Sequence, residues 1–91
     1  MDRELTHEID VSDLALYVTR GCGYCERVLR AIRDLGIEVE LRDIDLYPEH
    51  RKALVEARGR STVPVLRIGT AQWLPESRAI IAYLSKRVRE G

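Results

Sequence analysis

Apolar residues along this chain switch between short continuous runs and helical stripes. Leu14-Ala15-Leu16-Tyr17-Val18 is an unbroken apolar run, the mark of a strand buried on both faces. Thr19-Arg20-Gly21 breaks it. From Cys25 onward, Val28, Leu29, Ile32 and Leu35 recur at helical spacing, Glu26, Arg27, Arg30, Arg33 and Asp34 fill the other face, and Gly36 caps the end. Ile37, Val39 and Leu41 alternate with Glu38, Glu40 and Arg42, which predicts a second strand. Pro48 opens a second helix, running to about Arg58, with a thin stripe of Ala53, Leu54 and Ala57, and Gly59 ends it. Val63 to Ile68 predicts a third strand. Gly69-Thr70 predicts a turn, and Ala71 to Leu74 a short fourth strand antiparallel to the third. Pro75-Glu76-Ser77 starts a last helix, buried through Ile80, Ile81, Leu84 and Val88, with Lys86, Arg87 and Arg89 in its final turn. The order is β-α-β-α-β-β-α, an α/β domain over 14–91, preceded by a polar, irregular arm over 1–13.

Composition adds limits to this picture. Ninety-one residues make one domain, and 45% hydrophobic with 33% charged residues fits a globular chain. Fifteen basic residues balance fifteen acidic ones, which argues against a general nucleic-acid binder. The longest apolar run falls far short of the ~20 residues that span a bilayer. Met1 to Asp10 carries charges of both signs and no apolar h-region, so no signal peptide is expected and the cytoplasm is the expected location. Thirteen of the basic residues are Arg. That excess fits either a genome rich in arginine codons or recognition of anions, for which Arg is the better fork.

Cys22 and Cys25 are the only cysteines, too few for a disulfide framework. His7 and His50 lie far from them, without the spacing of a zinc site. A C-x-x-C pair at a strand-to-helix junction reads as a redox pair. With Cys22 as N-cap, its sulfur faces the Tyr24 and Cys25 amides and the positive end of the helix dipole. Such positions lower a thiol pKa from about 8.5 into roughly 3.5–7.5, and only the thiolate attacks disulfides. Cys22 is thus the expected nucleophile and Cys25, one turn along and more buried, the resolving thiol. Two ordinary buried cysteines are the bland alternative.

Three segments carry a family resemblance. Tyr17-Val18-Thr19-Arg20-Gly21-Cys22-Gly23-Tyr24-Cys25 is similar to the active-site segment of the glutaredoxins, whose usual core is C-P-Y-C. Gly59-Arg60-Ser61-Thr62-Val63-Pro64 resembles their T-V-P segment. Leu74 to Leu84, with Pro75-Glu76-Ser77, looks more like the P-E-S segment of the thioredoxin-like N-terminal domain of glutathione S-transferases, and of the larger two-domain bacterial glutaredoxins. The likeness spans about 14–88. It implies a thioredoxin-like fold with a four-stranded mixed sheet, and glutathione as co-substrate. Pro64 would be a cis-proline facing the sulfurs, with an ordinary trans proline as the alternative. Val63 would offer its backbone to the cysteinyl part of glutathione, beside Tyr24 and Thr62. Ser77 and helix amides would take the γ-glutamyl carboxylate and Glu76 the ammonium, although Pro-Glu-Ser also serves as a simple helix cap. Arg20 or Arg60 would meet the glycyl carboxylate, and Arg78 is a further local anion site.

The chain also departs from the pattern. Thr19 stands where glutaredoxins usually carry Lys or Arg, Gly23 replaces the usual proline, and no transferase helical domain is expected. The expectation is a monomeric glutathione-dependent thiol–disulfide oxidoreductase acting on protein disulfides or glutathionylated proteins. Its potential would lie near the glutaredoxin range of about −200 to −230 mV. Three other readings stay open: a [2Fe–2S] carrier, made possible by the looser Gly23 loop; a non-catalytic glutathione-binding module; and a redoxin served by thioredoxin reductase.

Overall fold

The computed structural model describes residues 9–91. Residues 1–8, including His7 and most of the expected arm, lie outside it. Seven elements follow in the expected order: β1 (Leu14–Val18), α1 (Gly23–Leu35), β2 (Glu40–Asp43), α2 (Pro48–Arg58), β3 (Val65–Ile68), β4 (Gln72–Pro75) and α3 (Ser77–Glu90). The sheet order is β2-β1-β3-β4. β1 runs parallel to β2 and antiparallel to β3, and β4 is antiparallel to β3. This mixed sheet is the thioredoxin-like arrangement.

β1 is central, and all five of its residues are buried. Its side chains alternate between two cores. Leu14, Leu16 and Val18 meet Val28 and Ile32 of α1, Ile80 and Leu84 of α3, and Leu66. Ala15 and Tyr17 face the other way, toward Leu54 of α2, Ile44 and Val65. The Tyr17 hydroxyl accepts from Arg42 Nη1 at 2.8 Å, so the ring is buried with its polar end satisfied. Gly36 and Gly59 end α1 and α2 at φ 70° and 75°, a left-handed step that a side chain would strain.

Several boundaries differ from the sequence expectation. β2 begins at Glu40 rather than Ile37. Val39 is buried and Ile37 packs on the same core, but both do so from the extended connection before the ladder begins. Leu41, expected on the core face, is 51% exposed because β2 is an edge strand. β3 begins at Val65, two residues late, because Pro64 has no N–H for a ladder. Pro75 ends β4 opposite Val65 instead of opening α3, a placement that an edge strand tolerates.

Residues 9–13 are not a loose arm. Val11 is buried and Ile9 packs on the α1–α3 core. Arg87 of α3 clamps the segment, donating to Asp13 Oδ1 at 2.6 Å and to the Asp10 carbonyl at 3.2 Å. The polar letters of this stretch hid two apolar anchors, and the Arg87 that clamps the segment lies more than seventy residues away.

Candidate active site

The chain leaves β1 through Thr19-Arg20-Gly21 and enters α1 at Cys22, the N-cap, in an extended conformation (φ −93°, ψ 116°). The Cys22 sulfur accepts from the Cys25 amide at 3.3 Å. Of the two amides expected to face it, only that of Cys25 makes the bond. Both cysteines are free thiols; Cys22 is partly exposed and Cys25 is buried. Burial pushes the Cys25 thiol up from 9.0 to about 12, with the neighbouring Cys22 and Glu26 adding to the rise and a backbone hydrogen bond from Thr19 opposing it. An accessible sulfur at a helix start above a sheltered, protonated one is suited to attack followed by internal resolution.

A polar chain ties this loop to the segment before Pro64. The Thr19 hydroxyl donates to Asp45. Arg51 of α2 donates to Asp45 at 2.8 Å and to the Ser61 hydroxyl at 3.3 Å. The Thr19 bond holds the Asp45 carboxyl below its ordinary pKa, and Arg51 adds to that effect. Thr19 therefore has a structural role where relatives of the expected pattern carry a cation.

Beside the α1 start lies a groove of about 610 Å³. Tyr24 lines it from α1, Arg60, Thr62, Val63 and Pro64 from the connection between α2 and β3, and Glu76 and Ser77 from the start of α3. The Val63–Pro64 peptide bond is cis. Cys22 and Val63 both pack against the α1–α3 core, and Cys22 itself is not among the residues that line the groove. Glu76 is the only non-glycine residue with positive φ (75°) among the described residues. Glu76 makes no side-chain cap to the first amides of α3, and Ser77 is buried.

Arg20 is not part of this groove. Its side chain is 81% exposed, and its guanidinium reaches Asp43 at 4.0 Å. Arg78 does line the groove, together with two arginines that sequence reasoning missed, Arg27 and Arg58. Arg27 lies one helical turn after Tyr24 and stacks over its ring at 5.4 Å, so helical spacing was the available signal. Arg58 precedes the Gly59 reversal that also presents Arg60.

Comparison with known proteins bears on the family and the fold. The glutaredoxin family profile matches residues 14–73. The chain is 30% identical over 60 residues to the glutaredoxin-like protein NrdH of Salmonella typhimurium, covering 66% of this chain and 73% of that protein. A glutathione S-transferase from the Antarctic clam Laternula elliptica superposes with a TM-score of 0.71 at 26% identity, over 87% of this chain. The chain spans only 36% of that transferase's length. Glutaredoxin C1 of Populus tremula x tremuloides shares the fold, with a TM-score of 0.66 at 20% identity over 91% of this chain and 89% of its own. The profile match, the shared sheet order and the cysteine pair at the start of α1 converge: the chain belongs to the glutaredoxin family of thiol–disulfide oxidoreductases.

Proposed function

We propose that this protein is a glutathione-dependent oxidoreductase that works through Cys22-Gly23-Tyr24-Cys25 on glutathionylated proteins and protein disulfides. One observation supports the reading: the partly exposed Cys22 caps the start of α1, the helix whose Tyr24 and Arg27 line a groove with charges that complement glutathione. The uncapped amides of α3 and Ser77 suit the γ-glutamyl carboxylate, Glu76 the ammonium, and Arg60 the glycyl carboxylate. The Val63 backbone, in the same groove as Tyr24, Thr62 and Pro64, would meet the cysteinyl amide. The likeness to glutathione transferases supports the same ligand.

The Cys22 thiolate attacks the glutathionyl sulfur of a mixed disulfide. A Cys22–glutathione disulfide forms, and the protein thiolate leaves and takes a proton. A second glutathione thiolate then attacks, releasing glutathione disulfide and restoring Cys22. With a protein disulfide, Cys22 forms a mixed disulfide with one sulfur and Cys25 displaces that sulfur after losing its proton. The chemistry needs one chain, and the same reading locates it in the glutathione-rich cytoplasm. No helix among the described residues is long and apolar enough to cross a membrane.

The test is turnover of hydroxyethyl disulfide with glutathione and glutathione reductase. Wild type is expected to turn over and Cys22→Ser to be inactive. Turnover supported by thioredoxin reductase alone, or full activity in Cys22→Ser, would overturn the reading.

A further inference from the structure

The groove carries more positive charge than glutathione uses. Four guanidiniums line it, from Arg27, Arg58, Arg60 and Arg78, against a single carboxylate, Glu76. Glutathione brings two carboxylates and one ammonium. In the proposed mode those engage Arg60, the α3 amides and Glu76, which leaves three guanidiniums over. Two of them, Arg27 and Arg78, come from α1 and α3, which pack side by side through Val28, Ile32, Ile80 and Leu84. Arg27 is held over the Tyr24 ring at 5.4 Å, five residues after Cys22 in the chain. Arg30 lies one turn further along the exposed face of α1. Glu26 and Asp34 are the opposing charges on that helix.

We infer that the arginines at this rim select the protein half of the substrate, favouring disulfides and glutathionylated cysteines in acidic segments, with Arg27 and Arg78 as specificity-determining residues. This rests on the glutathione reading for the other half of the substrate. A segment attached to the sulfur that Cys22 attacks passes close to the start of α1, and its Asp or Glu side chains meet the exposed guanidiniums there, of which Arg27 is stacked on Tyr24. Charge complementarity of this kind acts through encounter rate and register, and salt screens it.

The experiment compares three glutathionylated peptides of equal length, one Glu-rich, one Lys-rich and one Ser-rich. The acidic peptide is expected to exceed the basic one in kcat/KM by about tenfold at low salt, with the ratio falling toward one near ~0.5 M NaCl. Arg27→Glu with Arg78→Glu is expected to abolish or invert the preference. Both residues are charged and groove-facing, Arg27 and Arg78 being exposed, so the double variant has no buried group to disturb. A ratio near one at low salt, or a ratio that the double variant leaves intact, overturns the inference while turnover of the Ser-rich peptide upholds the glutathione reading. Should no peptide turn over, that reading falls instead. Fluorescence anisotropy of labelled peptides without glutathione then decides the acidic preference by itself: tighter, salt-sensitive binding of the Glu-rich peptide sustains it, and equal binding overturns it.

Discussion

Two side chains near the active site are held in states their free counterparts do not favour. Burial keeps Cys25 protonated up to about 12, whereas the exposed thiol of the unfolded chain titrates near 9.0. Between those values the unfolded chain releases a proton that the folded chain retains, so stability falls as pH rises from 9.0 toward about 12. Urea unfolding of the reduced protein across that range should show the decline, and Cys25→Ala should make it shallower. Glu76 is held at positive φ, which costs a residue with a Cβ of order 1 kcal/mol or more. Glu76→Gly is therefore expected to gain about 1 kcal/mol in urea unfolding while raising the KM for glutathione. A gain in stability without a loss of affinity would show that the carboxylate is not a ligand. Neither state was visible in sequence. Cys25 reads as the inner cysteine of the pair, but its depth depends on α3 packing across α1. Pro-Glu-Ser reads as a helix start, and the reversed φ arises because β4 must turn into α3 within one residue.

The elements differ in how firmly their own pattern specified them. α1 and α3 meet in the core through Val28, Ile32, Ile80 and Leu84 as periodicity predicts, whereas Ile81 is only partly buried and Val88, near the end of α3, stays outside the core. α2 has a single buried residue, Leu54, yet it carries Arg51, which links Asp45 to Ser61, and ends at the groove residue Arg58. Leu54→Ala is expected to cost about 2–5 kcal/mol, because its loss leaves a cavity between α2 and β1. Thermal and urea unfolding would measure it, and weaker glutathione binding should accompany it through the displaced Arg51, which bonds Ser61 next to the groove segment. Strand boundaries were less legible than helices. Alternation of Ile37, Val39 and Leu41 reports burial, not ladder bonding, and an edge strand leaves Leu41 outside the core. The helix ends at Gly36 and Gly59 were legible because the left-handed step is a local requirement.

Across the whole molecule, contacts distant in sequence do what composition leaves open. Arg87 joins α3 to the segment before β1 through Asp13, the Asp10 carbonyl and the Tyr83 hydroxyl. The pair is partly exposed to solvent, so Arg87→Ala should cost only about 1 kcal/mol. Hydrogen exchange should nonetheless speed up over residues 9–13, since Val11 and Ile9 lose their clamp. Net charge behaves similarly. Fifteen positive and fifteen negative residues cancel over the chain, yet four guanidiniums and one carboxylate line the groove. The sequence by itself determined the order of elements, the junction that places Cys22 on a helix start, and the proline that ends the connection before β3. Each of these follows from short-range rules: periodicity, capping and the missing proline N–H. Only the tertiary structure decided which arginines face the groove and which reaches away to Asp43, how deeply Cys25 lies, and that residues 9–13 join the core. Those outcomes depend on where separate elements come together, and no local pattern contains that distance.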